Sequence, residues 1–192
     1  MLFRTLSPQA ELRALEPWNA AEFAAHMDRA RDHIRPWVGP AFVTDGVDDA
    51  AATLSRYAER TANDGARIFG IWADGRLVGG VMFTEFRAAA GTCEIGCWLE
   101  SSAEGQGLVT DACKILLHWA FIDRGIHRAE WRCRADNLRS AAVAQRLGMT
   151  LEGVLRDAWR VGHSFYDAQI WAIVNSEELS VNSDSAIYSA NP

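Results

Sequence analysis

Apolar positions recur along this chain with two periods, and the switches between them divide it into elements. Residues 11–16 read as a strand, closed by Pro17-Trp18-Asn19. Asn19 stands three residues before Glu22, the spacing of a capping box, so a helix is expected from there to about Arg31. Pro36 and Gly39-Pro40 interrupt the chain. Residues 48–63 return to helical spacing, with Ala51, Leu54, Tyr57, Ala58 and Thr61 on one stripe. The middle is β: strand 67–73, a two-residue turn at Asp74-Gly75, strand 76–86, a turn at 88–91 and strand 92–99. Gly79-Gly80 marks a bulge or a close backbone approach.

The second half alternates. Residues 107–124 carry Leu108, Ala112, Ile115 and Trp119 on one helical face, and Gly125 stops them. Residues 128–134 have period two, Ala129, Trp131 and Cys133 opposing Arg128, Glu130, Arg132 and Arg134. A short helix over 138–147 ends at Gly148, and strands near 150–160 and 164–174 flank a turn at Gly162-His163. A meander followed by alternating helices and strands predicts one α/β domain over residues 1–175, built on a single mixed central sheet. Residues 176–192, rich in Ser, Asn, Asp and Glu, read as a polar surface tail.

Composition narrows the function classes. The 192 residues are 49% apolar, with a formal net charge of −6 and no long run of Lys or Arg. That argues against a nucleic-acid protein, whose affinity rests on cationic contacts to phosphate, but leaves room for a small basic pocket. Met1-Leu2-Phe3-Arg4 opens no signal peptide, and no stretch reaches the roughly 18 apolar residues of a membrane span, so a cytoplasmic protein with no membrane contact is expected. Cys93, Cys97, Cys113 and Cys133 sit in apolar patterns, as reduced core thiols do. The Cys93–Cys97 spacing is not a usual zinc pattern, so no metal is expected.

Chemistry enters at Gly105-Gln106-Gly107-Leu108-Val109-Thr110, where strand 92–99 feeds a glycine loop that opens a helix. Glycines let backbone N–H groups approach a phosphate, the helix start adds unpaired donors and partial positive charge, and Thr110 adds a hydroxyl. The same residues also suit an ordinary tight strand-to-helix turn. No Gly-Lys-Ser/Thr follows and no third glycine is present, so the loop is neither a P-loop nor a dinucleotide fingerprint.

The flanks decide between these readings. Glu94-Ile95-Gly96-Cys97-Trp98-Leu99, the loop with Asp111-Ala112, then Asn137-Leu138-Arg139-Ser140 and Arg146-Leu147-Gly148-Met149-Thr150-Leu151-Glu152-Gly153 follow in the order and spacing of the GNAT superfamily. The chain resembles its RimJ/RimL branch, ribosomal-protein N-terminal acetyltransferases, over roughly residues 10–175. The resemblance implies a mostly antiparallel sheet split in a V and flanked by helices, with acetyl-CoA in the split between strands 92–99 and 128–134. It places the backbone of Trp98, Leu99 and Glu100 along the pantetheine arm, and Gly105, Gln106, Gly107, Leu108, Val109 and Thr110 around the pyrophosphate. Ser102 stands where the family often has Gln or Arg. Asn137 is implied to touch the cofactor arm. Ser140 is implied to donate a proton to the departing thiolate, or else caps the helix. Arg139 meets a CoA phosphate or faces solvent. Cys133 lies near the reaction centre or packs in the core.

The acceptor is an amine, and its proton needs a base. Glu94 is the first candidate, against a purely structural pairing with Arg132. Trp159 occupies the position where the branch carries a second acid, Asp157 is expected on the opposite face of its strand, and no His has a triad-like neighbourhood. Asp167 reads as a structural acid tying the Gly162-His163 turn to the sheet. Residues 31–47 and the last hairpin are expected to line the acceptor side with Trp37, Phe42, Trp159 and Phe165. The acidic net charge favours a cationic amine or a peptide N-terminus over an acidic acceptor. Three acceptor readings remain open: a protein N-terminus, a small amine with acetyl-CoA or another acyl-CoA, and a CoA-binding sensor with little catalysis. The branch also implies a homodimer.

Overall fold

In the computed structural model, which describes residues 3–39 and 42–176, strands β1 (Phe3–Ser7) and β2 (Ala10–Ala14) open the chain. Helices α1 (Ala20–Ile34) and α2 (Gly46–Ala62) follow. Strands β3 (Arg67–Ala73), β4 (Arg76–Arg87) and β5 (Thr92–Leu99) form the meander. Helix α3 (Leu108–His118) continues as a wider π turn over Trp119–Asp123 and crosses to β6 (Arg128–Arg134). Helix α4 (Leu138–Arg146) and the hairpin β7 (Thr150–Val161) and β8 (Ser164–Val174) complete the fold. The eight strands form one sheet in the order β1-β2-β3-β4-β5-β6-β8-β7, and only β5 and β6 run parallel.

Side-chain alternation sorts the apolar residues into two cores. Val81, Phe83, Ile95 and Trp131 face α3 and α4 and bury against Leu116 and Phe121. Met82 and Trp98 face the other way, against Phe23 and Met27 of α1 and Leu54 of α2. The sheet therefore separates two layers of helices, and whatever opens in it is reachable from both faces.

The glycines of β4 serve close packing. Ile71 pairs with Gly79 and Trp72 with Leu77, so Val78 is the extra residue of a bulge. A Cβ on Gly80 would lie 2.2 Å from the Phe69 carbonyl oxygen and 2.2 Å from the Trp98 ring. The Trp98 ring thus packs directly against bare backbone at Gly80. Asp74 and Gly75 take positive φ (49° and 74°), the conformation a two-residue hairpin needs.

Three local expectations change. β1 is an added edge strand, too short to show a period of its own, and it exists by pairing with β2. Asn19 precedes α1, but its Oδ1 accepts the Glu16 N–H at 3.0 Å while its Nδ2 donates to Glu22 at 2.9 Å, so it secures the entry turn instead of capping α1. Asp167 ties down a bulge in β7, its Oδ1 accepting the Asp157 N–H at 3.0 Å, and not the turn at Gly162-His163. Within that bulge Asp157 has a φ of 52°, so strand parity does not assign it a face. The polar tail lies outside the described residues, Ser176 excepted.

Gly80→Ala is expected to destabilise the fold by about 1–3 kcal/mol, the usual cost of overpacking. Urea denaturation should show a lower midpoint, and an unchanged midpoint would mean that both Trp98 and the Phe69 backbone can move aside.

Candidate functional site

β5 and β6 pair only from Thr92–Arg128 to Ile95–Trp131. Beyond that, β5 stays with β4 as far as Leu99, and β6 stays with β8 as far as Arg134. The two parallel strands part, and their facing edges border a cleft of about 960 Å³. The Glu100 N–H donates to the Val78 carbonyl at 2.9 Å, which sets the alternation along β5. Trp98 turns its backbone groups to Gly80, whereas Cys97 and Leu99 turn theirs into the gap. The three backbone contacts expected in a row therefore separate. Leu99 faces the gap with its main chain, while Trp98 and Glu100 use theirs to hold β5 on its half of the sheet.

A buried charge cluster fixes the end of β5. The Glu100 carboxylate accepts from Arg76 at 2.7 Å, Arg29 at 3.3 Å and the Ser102 hydroxyl at 2.7 Å. Burial opposes its charge, but these donors hold its carboxyl below the ordinary value. His26, fully buried, accepts the Trp98 indole N–H at 3.0 Å on Nε2, so its proton sits on Nδ1, 3.5 Å from Glu100. Burial lowers its pKa to about 4 and outweighs the attraction of Glu100.

The loop after β5 has the conformation expected of a phosphate cradle. Gly105 and Gly107 take φ of 77° and 78°, a region that favours glycine. No atom lies within 4 Å of a Cβ added at Gly105, so its backbone conformation, not space, calls for glycine. Leu108, Val109 and Thr110 supply N–H groups that lack partners inside α3. All of these line the cleft, and Gln106 does not. Arg146, which the sequence offered only as part of a family segment and with no role of its own, also lines the cleft and donates to the Thr110 hydroxyl oxygen at 3.2 Å.

Across the cleft, α4 begins with Asn137 as its N-cap, whose side-chain oxygen accepts the Ser140 N–H at 3.1 Å. The Trp131 indole N–H donates to Ser140 Oγ at 2.9 Å. That bond occupies an acceptor site and leaves the Ser140 hydroxyl proton available for donation. Asn137 is the cap, so Ser140 is not needed as one. Arg139 donates to Glu104 at 2.8 Å, and His33 lies 2.7 Å from the same carboxylate oxygen, joining α4, the loop and the end of α1 across the mouth. Cys133 is buried, its thiol 3.8 Å from Gln169, and burial raises its pKa against a smaller opposing effect of Ser140. Burial pushes Cys97 up to about 12. Both thiols line the cleft as protonated groups, not as nucleophiles.

At the other end, Glu94 accepts from the Thr84 hydroxyl at 2.8 Å and pairs with Arg132 at 3.3 Å. Trp37, Phe42 and Trp159 line this end, whereas Phe165 is outside it and 56% exposed. Arg134 holds the segment after α1 in place by donating to the Pro36 carbonyl at 3.0 Å. Arg56, Tyr57 and Arg60 of α2 complete the wall. Tyr57 was visible in the sequence on the helical stripe with Leu54, but not what that stripe faces. Among the described residues no group of three or more His, Cys, Asp or Glu could hold a metal ion, and no helix is long and apolar enough to cross a membrane. An open strand edge leading to a glycine loop with adjacent cations suits a long, phosphate-bearing arm with a reactive group near Ser140.

Comparison with known proteins agrees with that geometry. Residues 10–150 match the Acetyltransferase (GNAT) domain. The chain is 34% identical over 113 residues to the ribosomal-protein-serine acetyltransferase of Escherichia coli (strain K12), an alignment covering 58% of this chain and 63% of that protein. It is 31% identical over 135 residues to the probable N-acetyltransferase YjcK of Bacillus subtilis (strain 168), covering 69% of this chain and 75% of the relative. The crystal structure of the microcin C7 self-immunity acetyltransferase MccE, in complex with acetyl-CoA and AMP, superposes with a TM-score of 0.79 at 29% identity, covering 88% and 93% of the two chains.

His26 makes stability depend on pH. Its folded pKa is depressed from 6.5 to about 4, so the unfolded chain takes up the proton first as pH falls. Its contribution is complete above pH 6.5 and is lost as pH falls towards 4. Denaturation midpoints measured across this window should fall for the parent and stay flatter for His26→Gln. Parallel curves would assign the acid sensitivity to other groups.

Proposed function

The chain belongs to the GNAT acetyltransferase family, and from that premise we propose that it transfers an acetyl group from acetyl-CoA to the N-terminal amino group of a protein. The observation that carries the reading is the pair of parted strands: an open β5 edge beside Leu99 ends at the Gly105–Gly107 loop, with Ser140 on the facing wall. The split gives one arm-shaped molecule a strand edge to bond to and a helix start for its phosphates. The ribosomal-protein-serine acetyltransferase among the relatives supports a protein N-terminus as acceptor.

Acetyl-CoA supplies an activated thioester to be attacked by the amine, with the CoA thiolate leaving. The Leu99 N–H, held in the cleft by β5, is the fixed donor for the acyl oxygen. The Ser140 hydroxyl, its oxygen oriented by Trp131, gives the leaving sulfur a proton. Glu94, held by Thr84 and Arg132, receives the amine proton through water; an α-amino group of pKa about 7.7–8.0 already has a substantial neutral fraction near neutral pH, so a weak base suffices. A ribosomal-protein acceptor, as in that relative, supports a cytoplasmic location. Exposed Leu151, Val154, Leu155 and Val161 along β7 support self-association, which sedimentation would measure.

Thiol release should be seen with acetyl-CoA and unblocked peptides, and not with the same peptides blocked at the N-terminus; equal rates on both would overturn the N-terminal assignment. Ser140→Ala should slow turnover roughly 10²–10⁴-fold at saturating acetyl-CoA, and an unchanged kcat would remove Ser140 from the chemistry. Glu94→Gln should alter the acid limb of the kcat/KM profile. A profile superimposable on the parent's would clear Glu94 of the base role.

A further inference from the structure

Two carboxylates stand side by side where β5 and β6 still pair. Glu94 and Glu130 are register partners on adjacent parallel strands, so their Cα atoms are roughly 5 Å apart and their side chains share a face. Arg132, next on that face of β6, serves both: its Nε is 3.3 Å from Glu94 and its Nη2 is 3.2 Å from Glu130. Glu130 also accepts from Arg128 at 2.9 Å, and Arg128 donates onward to Glu152 at 2.8 Å. Charges thus alternate in a line from Glu152 on β7 to Glu94 on β5. The line ends in the cleft, which Glu94 and Arg132 border and Glu130 does not. Burial opposes the charge of Glu130, but Arg128 and Arg132 hold its carboxyl below the ordinary value, so it is an anion throughout the neutral range.

A guanidinium bound to one carboxylate alone favours the charged form and makes that carboxylate a poor proton acceptor. Beside Glu94 this effect is opposed. Glu130 takes one arm of Arg132, offsets part of its charge, and sets a like charge next to Glu94. We propose that Glu130 is a positioning residue for the transfer reaction, holding Arg132 between the two carboxylates so that Glu94 can still accept a proton. The proposal rests on Glu94 as the base and adds the residue that keeps it one. Around Glu94 also stand Thr84 and Glu85 of β4, and Arg56, Tyr57 and Arg60 on the α2 wall. Glu85 pairs with Arg87, Arg56 donates to Thr53 and Tyr57 to Met82, and a substitution at Glu130 alters none of these groups.

The test follows the Glu94 carboxyl by NMR titration and, in parallel, the kcat/KM profile on an unblocked peptide. That profile has one break from the amine, at about 7.7–8.0, and a lower one from the base. Glu130→Gln removes the charge and keeps the shape, and its Kd for CoA reports that it has folded. It should lower the Glu94 midpoint and the lower kinetic break together, by roughly half a pH unit to one unit, a modest shift because the two carboxylates stay 25% and 23% exposed. Glu130→Asp, which restores the charge, should return both towards the parent, and Arg132→Gln should raise both. A Glu94 midpoint that is unmoved or raised in Glu130→Gln would overturn the coupling while leaving Glu94 as the base. A midpoint that falls while the kinetic break stays would overturn Glu94 as the base, and with it the part of Glu130 in the reaction.

Discussion

The structure depends on one unmet pairing. Two parallel strands that could have continued side by side stop bonding after Ile95 and Trp131, and each stays with its other neighbour. Backbone donors and acceptors left facing each other inside a protein need partners. Along this split the partner, water or a ligand, has to come from outside the sheet. The cost of keeping it open is met by packing on each side. Trp98 lies over Gly80 and binds His26, and the Glu100 cluster closes the end of β5. On the other half, β6 keeps its full register with β8.

The cleft has two chemically distinct ends because the sheet has two faces. Odd-numbered residues of β5 and β6 turn towards α3 and α4, where the glycine loop, Asn137 and Ser140 stand. Glu94 and Arg132 turn towards α1 and α2, where Tyr57 and the two arginines stand. The split joins these two faces. Trp131 stiffens its edge: it is buried in one core, and its indole nitrogen reaches Ser140.

Charge is arranged on the same plan. Glu100 is surrounded by donors and serves structure, while Glu94 is held by one hydroxyl and one guanidinium and stays 25% exposed in the cleft. Arg139 and Glu104 form a pair at the mouth with His33, so an arginine that sequence reading could place either on a phosphate or in solvent is engaged with a carboxylate across the entrance.

Much of this was legible in the sequence, for a local reason. The strand 128–134 stood out because apolar and polar residues alternate along it, and the strands from 67 to 99 because turn residues such as Asp74-Gly75 punctuate them; both signals act over a few neighbouring positions. The glycine loop was legible because its demand for positive φ is met at Gly105 and Gly107 themselves. What the sequence could not decide was which faces meet. No short stretch of sequence gave Arg56 or Arg60 a role, Arg146 entered only within a family segment, and His33 was one histidine among five; they become cleft residues only because α1, α2 and α4 pack around the split. The direction of each backbone group along β5 likewise followed from one long-range bond, Glu100 to Val78, which separated Leu99 from its neighbours. Local pattern determined the elements and the loop; the contacts between segments far apart in the chain decided where the charges stand, because they depend on packing that no short window contains.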